Sequence, residues 1–312
     1  MEPLSLSTMY SAQQFPDIAA FAHLAAEFGY RRLELNYHLT AERLQGLRKA
    51  WPYEIPSVHW PCPAGLTPQG LKEQQLLLSH TDSDEREQAI KSAIRSIDLA
   101  SEVGARWVVL HVGAVEEKLA PPQERELQRL YNEGRIGSKV FDQAKAELVR
   151  LRAKDAARPF AAALKSIDRL CTYVQRQGYP IRFGLETRNR YVEIPLPDEM
   201  EVLLGEFAQA VGYWHDVGHA EYLARLGLIP HEEWFQRFQG RLAGCHLHDI
   251  QGLVDHRPPG LGDMPWDDIA PHLPADALRV LEINEGMEQE MVRLAPQVLA
   301  EAGIGPPVAP RA

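Results

Sequence analysis

Short hydrophobic runs alternate along this chain with longer stretches of mixed polarity. The short runs are rich in Leu, Val and Ile and are bounded by turn residues, which is typical of buried strands. Eight of them occur, over residues 4–7, 31–36, 55–59, 106–111, 181–186, 211–216, 242–248 and 278–283. Because helix-length segments separate the eight runs, the pattern predicts an α/β fold, a closed parallel (β/α)₈ or TIM barrel.

The stretches between the runs have the periodicity of amphipathic helices. Over 15–28 the apolar residues lie on one helical stripe, and Gly29 follows as a stop signal. The same periodicity recurs over 83–103, directly after a capping-type cluster that includes Asp82. We expect these helices to cover the outside of the barrel.

One connection is longer than the others. Residues from about 116 to 170 are rich in Arg, Lys and Glu, and we interpret them as a helical extension of two helices after strand four. Their charge favours a solvated helical surface; the alternatives are a lid over the barrel or a subunit contact in a homo-oligomer. We predict a single barrel domain over residues 1–302 and a flexible tail over 303–312.

Seven of the eight runs offer a side chain that can bind a divalent metal at or next to the carboxyl end. In chain order these are Glu34, His59, His111, Glu186, Asp216, His246 and Glu282. A TIM barrel gathers the carboxyl ends of its strands at one mouth, so these side chains are expected to converge there. A mixed set of imidazoles and carboxylates suits Mn²⁺, Co²⁺, Zn²⁺ or Mg²⁺.

Each of these positions also has a structural explanation. Glu186 could pair with Arg188 or Arg190 in the following loop, and Asp216 could cap the next helix. Glu282 lies in an apolar run, where a buried carboxylate needs a metal or a cationic partner. Structural explanations would have to hold independently at seven strand ends, which favours a metal site.

Composition narrows the class of protein. The chain has 312 residues, 45% of them hydrophobic and 24% charged, which fits one globular barrel. Three cysteines without CxxC spacing, and the lack of a signal-like amino terminus or a long apolar stretch, favour a cytoplasmic protein and disfavour a membrane protein. The net charge of −10 makes nucleic acid an unfavourable partner.

The chain resembles the xylose-isomerase-like barrel superfamily. The resemblance spans nearly the whole chain, through the motifs SVHWPCP, LHVG, LET, HDVGH, HLHD, DHRPPGLGDMPW and LEI. This superfamily includes sugar and sugar-phosphate isomerases and epimerases and the apurinic endonuclease IV family. In its epimerases a Glu, an Asp, a His and a Glu from strands five to eight hold one divalent ion. The resemblance assigns that role here to Glu186, Asp216, His246 and Glu282, with no organic cofactor expected.

The resemblance also implies a set of substrate contacts. HLHD matches a His-x-x-acid pattern, which favours His246 over His248 as the metal ligand. NRYVE resembles the family's NRYE with one extra residue before Glu193. The residues expected to contact substrate are His59, His111, Arg188, Glu193, His219, His248, His256 and Arg257.

The resemblance implies an enzyme that acts on a small carbohydrate. The expected activity is metal-dependent isomerisation or epimerisation of a sugar or sugar phosphate through an enediolate, with Glu186 and Glu282 moving the proton. The main alternative is a zinc-dependent phosphodiesterase of the apurinic endonuclease type. That family carries an Asp-x-His pair, whereas this chain has Asp255 and His256 without an intervening residue. A lyase or dehydratase is a third hypothesis, and a non-catalytic binding barrel is a fourth, which the presence of both glutamates disfavours.

Overall fold

Eight parallel strands close into one barrel in the computed structural model, which describes residues 2–115 and 121–305. The strands are β1 (Leu4–Ser7), β2 (Arg32–Leu35), β3 (Glu54–His59), β4 (Trp107–Leu110), β5 (Arg182–Glu186), β6 (Val211–Asp216), β7 (Leu242–Leu247) and β8 (Leu278–Leu281). Each strand pairs with its neighbours in the sequence, and β8 pairs with β1 to close the barrel. The predicted TIM barrel is confirmed, and the observed strand ends differ from the predicted ones by two residues or fewer.

Helices connect the strands and surround the barrel. They are α1 (Ile18–Glu27), α2 (Ala41–Ala50), α3 (Ser83–Val103), α4 (Pro122–Asn132), α5 (Lys139–Asp155), α6 (Ala157–Gln177), α7 (Pro197–Glu206), α8 (Val217–Arg225), α9 (His231–Phe238), α10 (Trp266–Ile269) and α11 (Gln289–Glu301). As the sequence predicts, the Asp82 side chain caps α3, and Gly29 follows α1 with a φ of 95°. Across residues 2–115 and 121–305, none of the helices combines the length and the apolar character needed to cross a membrane.

The barrel interior has its own small core. Val109, Trp214 and Val280 are fully buried there, apart from the larger core between the strands and the helices. A Cβ atom added at Gly184 or Gly244 would lie 2.6 or 2.5 Å from the Trp214 ring. The two glycines therefore make room for the indole, which fills the barrel one layer below the carboxyl ends of the strands.

The predicted extension after the fourth strand consists of α4 and α5, whereas α6 is the barrel helix that leads into β5. Residues 116–120 of the predicted segment lie outside the described residues. The extension has a structural contact besides its solvated surface. Arg152 in α5 is 7% exposed and donates to the carbonyl oxygens of Tyr191 and Glu193, at 2.7 and 3.0 Å. Helix α5 thereby braces the loop that follows β5.

The carboxyl-terminal part of the barrel continues past the predicted domain end. Ile304 is fully buried in the core, and its N–H donates to the carbonyl oxygen of Leu299 at 2.8 Å. Residues 306–312 of the predicted tail lie outside the described residues. Barrel packing therefore includes at least two residues beyond 302.

Candidate metal centre at the barrel mouth

Four acidic and imidazole side chains meet where β5 to β8 end. The Nδ1 atom of His246 lies 2.9 Å from Glu186 Oε1, 3.5 Å from Asp216 Oδ2 and 3.2 Å from Glu282 Oε2. One potential ligand atom from each of the four lies within 4.8 Å of the others, and all four side chains are buried. This spacing suits a single divalent ion.

Asp216 shows that the group is arranged to receive a cation. Its Oδ1 accepts from the backbone N–H of His219 at 2.7 Å, which is the helix cap considered as an alternative, and lies 2.9 Å from His248 Nε2. No described residue donates to its buried Oδ2. Burial would raise the pKa of Asp216, but His219 and His248 outweigh burial and hold it well below its usual range. An ionised, unpaired oxygen facing other carboxylates fits a divalent ion.

The two glutamates of the group are also ionised despite their burial. Burial would raise the pKa of each. For Glu186 the Arg188 guanidinium and the His111 imidazole outweigh burial, so its pKa lies well below the usual range. For Glu282 the His246 imidazole has the same effect and lowers the pKa. Both side chains are therefore in the form that binds a cation or accepts a proton.

Glu34 lies beneath this group instead of joining it, which corrects its placement among the strand-end candidates. It pairs in register with Ser57, one layer below His59, and is fully buried. Its Oε1 lies 3.0 Å from His246 Nε2, and its Oε2 accepts from the Ser57 hydroxyl at 2.7 Å. The Glu34 carboxylate thus holds Nε2 of His246 from below, and Nδ1 is directed at the centre.

Replacing Glu34 with Gln is expected to weaken divalent-ion binding by roughly 10–100-fold, because a neutral amide replaces the carboxylate that raises the basicity of the His246 ring. Titration with Mn²⁺ or Co²⁺ measures the affinity. The absorption spectrum of bound Co²⁺ should keep its shape, since the ligands themselves do not change. The matched control is Ser57→Ala, which keeps the carboxylate and should lose less affinity; equal affinities for wild type and Glu34→Gln would contradict this role.

His59, His111 and Arg188 lie together on one side of Glu186. The Nε2 atoms of His59 and His111 are 3.5 and 2.6 Å from Glu186 Oε2. Arg188 Nη1 is 2.8 Å from His111 Nε2 and 3.0 Å from the same Glu186 oxygen. Burial and Arg188 lower the pKa of His111 to about 3, so this imidazole is neutral. All three residues lie at the mouth, where the sequence placed them; their contact with substrate stays a prediction.

Glu193 reaches the site through Arg188. Its Oε1 accepts from Arg188 Nε and its Oε2 from the backbone N–H of Arg190, both at 3.0 Å. A short strand, Glu193–Ile194, pairs with Gly113–Ala114 and holds the end of this loop. In this structure Glu193 orients Arg188, despite the extra residue in NRYVE.

A hairpin after β7 brings further histidines to the other side of the group. His256 lies in its second strand, Val254–Arg257, with Nε2 3.6 Å from Glu282 Oε2. Its φ of 55° is in the left-handed region, which is uncommon for a residue other than glycine. The backbone N–H of Asn284 donates to its carbonyl oxygen at 2.9 Å and holds this conformation.

Three other predicted substrate contacts are engaged by protein atoms. His248 donates from Nε2 to Asp216 and accepts the backbone N–H of His256 at Nδ1, 2.9 Å in each case, so both of its ring nitrogens are occupied. His219 donates from Nδ1 to the Thr187 carbonyl at 2.9 Å and keeps Nε2 toward the mouth. Arg257 donates from Nε to the carbonyl oxygen of Leu261 at 2.7 Å. Of the three, His248 is placed to hold Asp216.

The sequence reasoning missed two residues that directly follow β2. Asn36 is fully buried and donates from Nδ2 to Glu282 Oε1 at 2.8 Å, which leaves Oε2 toward His246. The ring of Tyr37 lies 5.2 Å from that of His59. Both residues directly follow a strand, but an amide and a phenol are not side chains that commonly bind metals, so a pattern of metal ligands does not single them out.

Comparisons with known proteins agree with the fold and the motifs. The family model described as the xylose isomerase-like TIM barrel matches residues 22–289. A D-tagatose 3-epimerase-like protein is 16% identical, with a TM-score of 0.62 over 96% of this chain and 97% of that chain. The 3-keto-D-glucoside 4-epimerase from E. coli is 15% identical, with a TM-score of 0.63 over 97% and 99%. No curated protein matches the sequence. The chain belongs to the xylose isomerase-like TIM-barrel family.

Proposed function

We propose that this protein is a divalent-metal-dependent isomerase or epimerase of a sugar or sugar phosphate. The observation that carries the proposal is the buried group in which three carboxylates surround His246 Nδ1 at 2.9–3.5 Å. The structural similarity to proteins named as sugar epimerases, although at low sequence identity, supports the substrate class.

In the proposed reaction the four residues of the group hold the ion and two of them also move a proton. A divalent ion bound there supplies positive charge that acidifies the hydrogen next to a carbonyl and offsets the charge of the enediolate. Glu186 ends β5 and Glu282 directly follows β8. Strands β6 and β7 lie between these two strands in the barrel. One of the two glutamates takes the proton as its C–H bond breaks. The other, which first gains a proton from solvent or from a substrate hydroxyl, returns one to the opposite face. Return to the same carbon gives epimerisation. Return to the neighbouring carbon, together with transfer of the hydroxyl proton from one substrate oxygen to the other, gives isomerisation.

The surrounding residues keep the two glutamates in place. Asn36 binds one oxygen of Glu282, and Arg188 binds one oxygen of Glu186. Trp214 fills the barrel interior below, so the reacting carbon is approached from the mouth alone. These contacts orient the carboxylates before substrate binds, which is the condition for efficient proton transfer.

Solvent exchange tests the proposal. Purified protein loaded with Mn²⁺ is incubated in deuterated water with a panel of ketoses, aldoses and their phosphates, and the recovered sugars are analysed by NMR and mass spectrometry. We expect deuterium on a carbon next to the carbonyl of at least one sugar. Elimination by a lyase or dehydratase would instead appear as a product that has lost water. Absence of exchange with every sugar, together with cleavage of abasic DNA, would reject the proposal.

A zinc phosphodiesterase is the second candidate, and one observation favours it. Among the described residues, three further groups of side chains could hold ions at or next to the first, namely His59, His111 and Glu186; Asp216, His219, His248 and His256; and His59, His246 and Glu282. A three-ion site is what the apurinic endonuclease family uses. The net charge of −10 opposes binding to a polyanion. The number of bound ions discriminates between the candidates, since the isomerase needs one.

A further inference from the structure

The guanidinium of Arg188 lies inside a second group of potential metal ligands. Potential ligand atoms of His59, His111 and Glu186 lie within 4.8 Å of one another. Arg188 Nη1 is 2.8 Å from His111 Nε2 and 3.0 Å from Glu186 Oε2, and the Arg188 side chain is 14% exposed. A cationic side chain therefore lies within bonding distance of two of the three groups that could bind an ion there.

The three groups direct ring nitrogens and a carboxylate oxygen toward one small pocket, which favours a positive charge. His59 donates from Nδ1 to the Trp60 carbonyl at 2.9 Å and directs Nε2 toward Glu186 Oε2, which is 3.5 Å away. His111 Nε2 lies 2.6 Å from the same Glu186 oxygen. A guanidinium N–H or a metal ion placed among an imidazole nitrogen and a carboxylate oxygen at these distances is attracted to both. Arg188 supplies that charge permanently, since arginine stays protonated in proteins.

Glu193 holds Arg188 in this position, and Arg152 in turn holds the backbone at Glu193. Arg188 Nε donates to Glu193 Oε1 at 3.0 Å, and Arg152 of α5 donates to the Glu193 carbonyl at 3.0 Å. The planar guanidinium then projects Nη1 toward His111 and Glu186 in a fixed direction. The extension after β4 thus helps to set the position of a charge at the barrel mouth.

We propose that Arg188 is the resident cation of the pocket formed by His59, His111 and Glu186, and that it keeps a second divalent ion out of this pocket. The inference rests on the proposed function, because it takes the group around His246 as the site of that ion. Glu186 divides its oxygens between the two positions: Oε1 lies 2.9 Å from His246 Nδ1, and Oε2 contacts Arg188. Arg188 would then select one-ion proton-transfer chemistry over the multi-ion hydrolysis of phosphodiesters.

Counting bound ions in the full-length protein tests the inference. Wild type and variants are saturated with Zn²⁺, desalted and analysed for zinc per chain, and Co²⁺ spectra report the ligand environment. We expect one ion in wild type, two in Arg188→Ala, and one again in Arg188→Ala combined with His111→Ala. Arg188→Lys keeps the charge and should retain one ion. Arg188→Met keeps most of the volume without the charge and should bind two, which guards against collapse of the Ala variant.

The outcomes separate this inference from the proposed function. One ion in wild type and also in folded Arg188→Ala and Arg188→Met would overturn the role of Arg188 and leave the proposed isomerase intact. Two ions in wild type, with the second lost in His111→Ala, would overturn it as well, because Arg188 would not exclude an ion from its pocket. No ion in wild type at saturating Zn²⁺ would reject both the metal-dependent function and the inference. Circular dichroism of every variant establishes that the fold is retained.

Discussion

Replacing Glu186 with Gln should lower the turnover number by about 10²–10⁴-fold, the usual cost of removing a general base, and should change substrate affinity far less. The amide can still coordinate an ion weakly and can hydrogen-bond to substrate, but it cannot take a proton. Glu282→Gln should behave in the same way from the other side of the reacting carbon. Steady-state kinetics in both directions, with deuterium exchange at the substrate carbon, measures these effects.

The two glutamine variants also test whether each glutamate acts as the base in one direction of the reaction. Each single variant should block at least one direction of exchange, because one base is lost and the other remains. Glu232→Gln, on an exposed position of α9, is the matched control and should retain wild-type exchange. Wild-type exchange in both directions by Glu186→Gln and Glu282→Gln would remove these residues from the proton transfer.

Loss of the Asp216 carboxylate should remove both the bound ion and the activity. Asp216→Ala deletes an oxygen that has no donor among the described residues and that lies 3.5 Å from His246 Nδ1. It also deletes the cap of α8, which costs about 1 kcal/mol of stability. Elemental analysis after dialysis measures the ion content, and thermal unfolding measures the stability.

Asp216→Asn separates these two effects. An Asn side chain can still accept from the backbone N–H of His219 and cap α8, but it lacks the negative charge that attracts the ion. We expect this variant to unfold near the temperature of the metal-free wild type and to bind the ion much more weakly. Full ion occupancy in folded Asp216→Ala would contradict the proposed ligand set.

The sequence located much of this site because barrel topology converts a position along the chain into a position in space. Once the eight runs are read as parallel strands, Glu186, Asp216 and His246 must lie at one mouth. The period of two then directs their side chains inward, as the structure shows. The aliphatic residues that alternate with these side chains pack toward the helices. Because this alternation gives the inward direction, the prediction does not depend on any single motif.

The sequence pattern did not predict how deep in the barrel each side chain lies, or in which direction the loop side chains point. Glu34 has the same inward direction as the ligands, but its layer depends on strand register, which the periodicity does not give. The direction of Arg188 depends on Glu193 and on Arg152 in a distant helix. The engagement of His248 depends on a backbone N–H of the hairpin. Such contacts join segments that are far apart in the sequence and carry no local periodicity.

The Trp214 indole inside the barrel packs against the strands that carry three of the proposed metal ligands. Trp214 stands two residues before Asp216 on β6, and the two glycines that make room for it stand two residues before Glu186 and His246 on β5 and β7. A methyl group added at either glycine has to displace the indole or the strand itself. A substitution at either glycine is therefore expected to disturb ligands on three neighbouring strands at once, although neither glycine contacts the ion site itself.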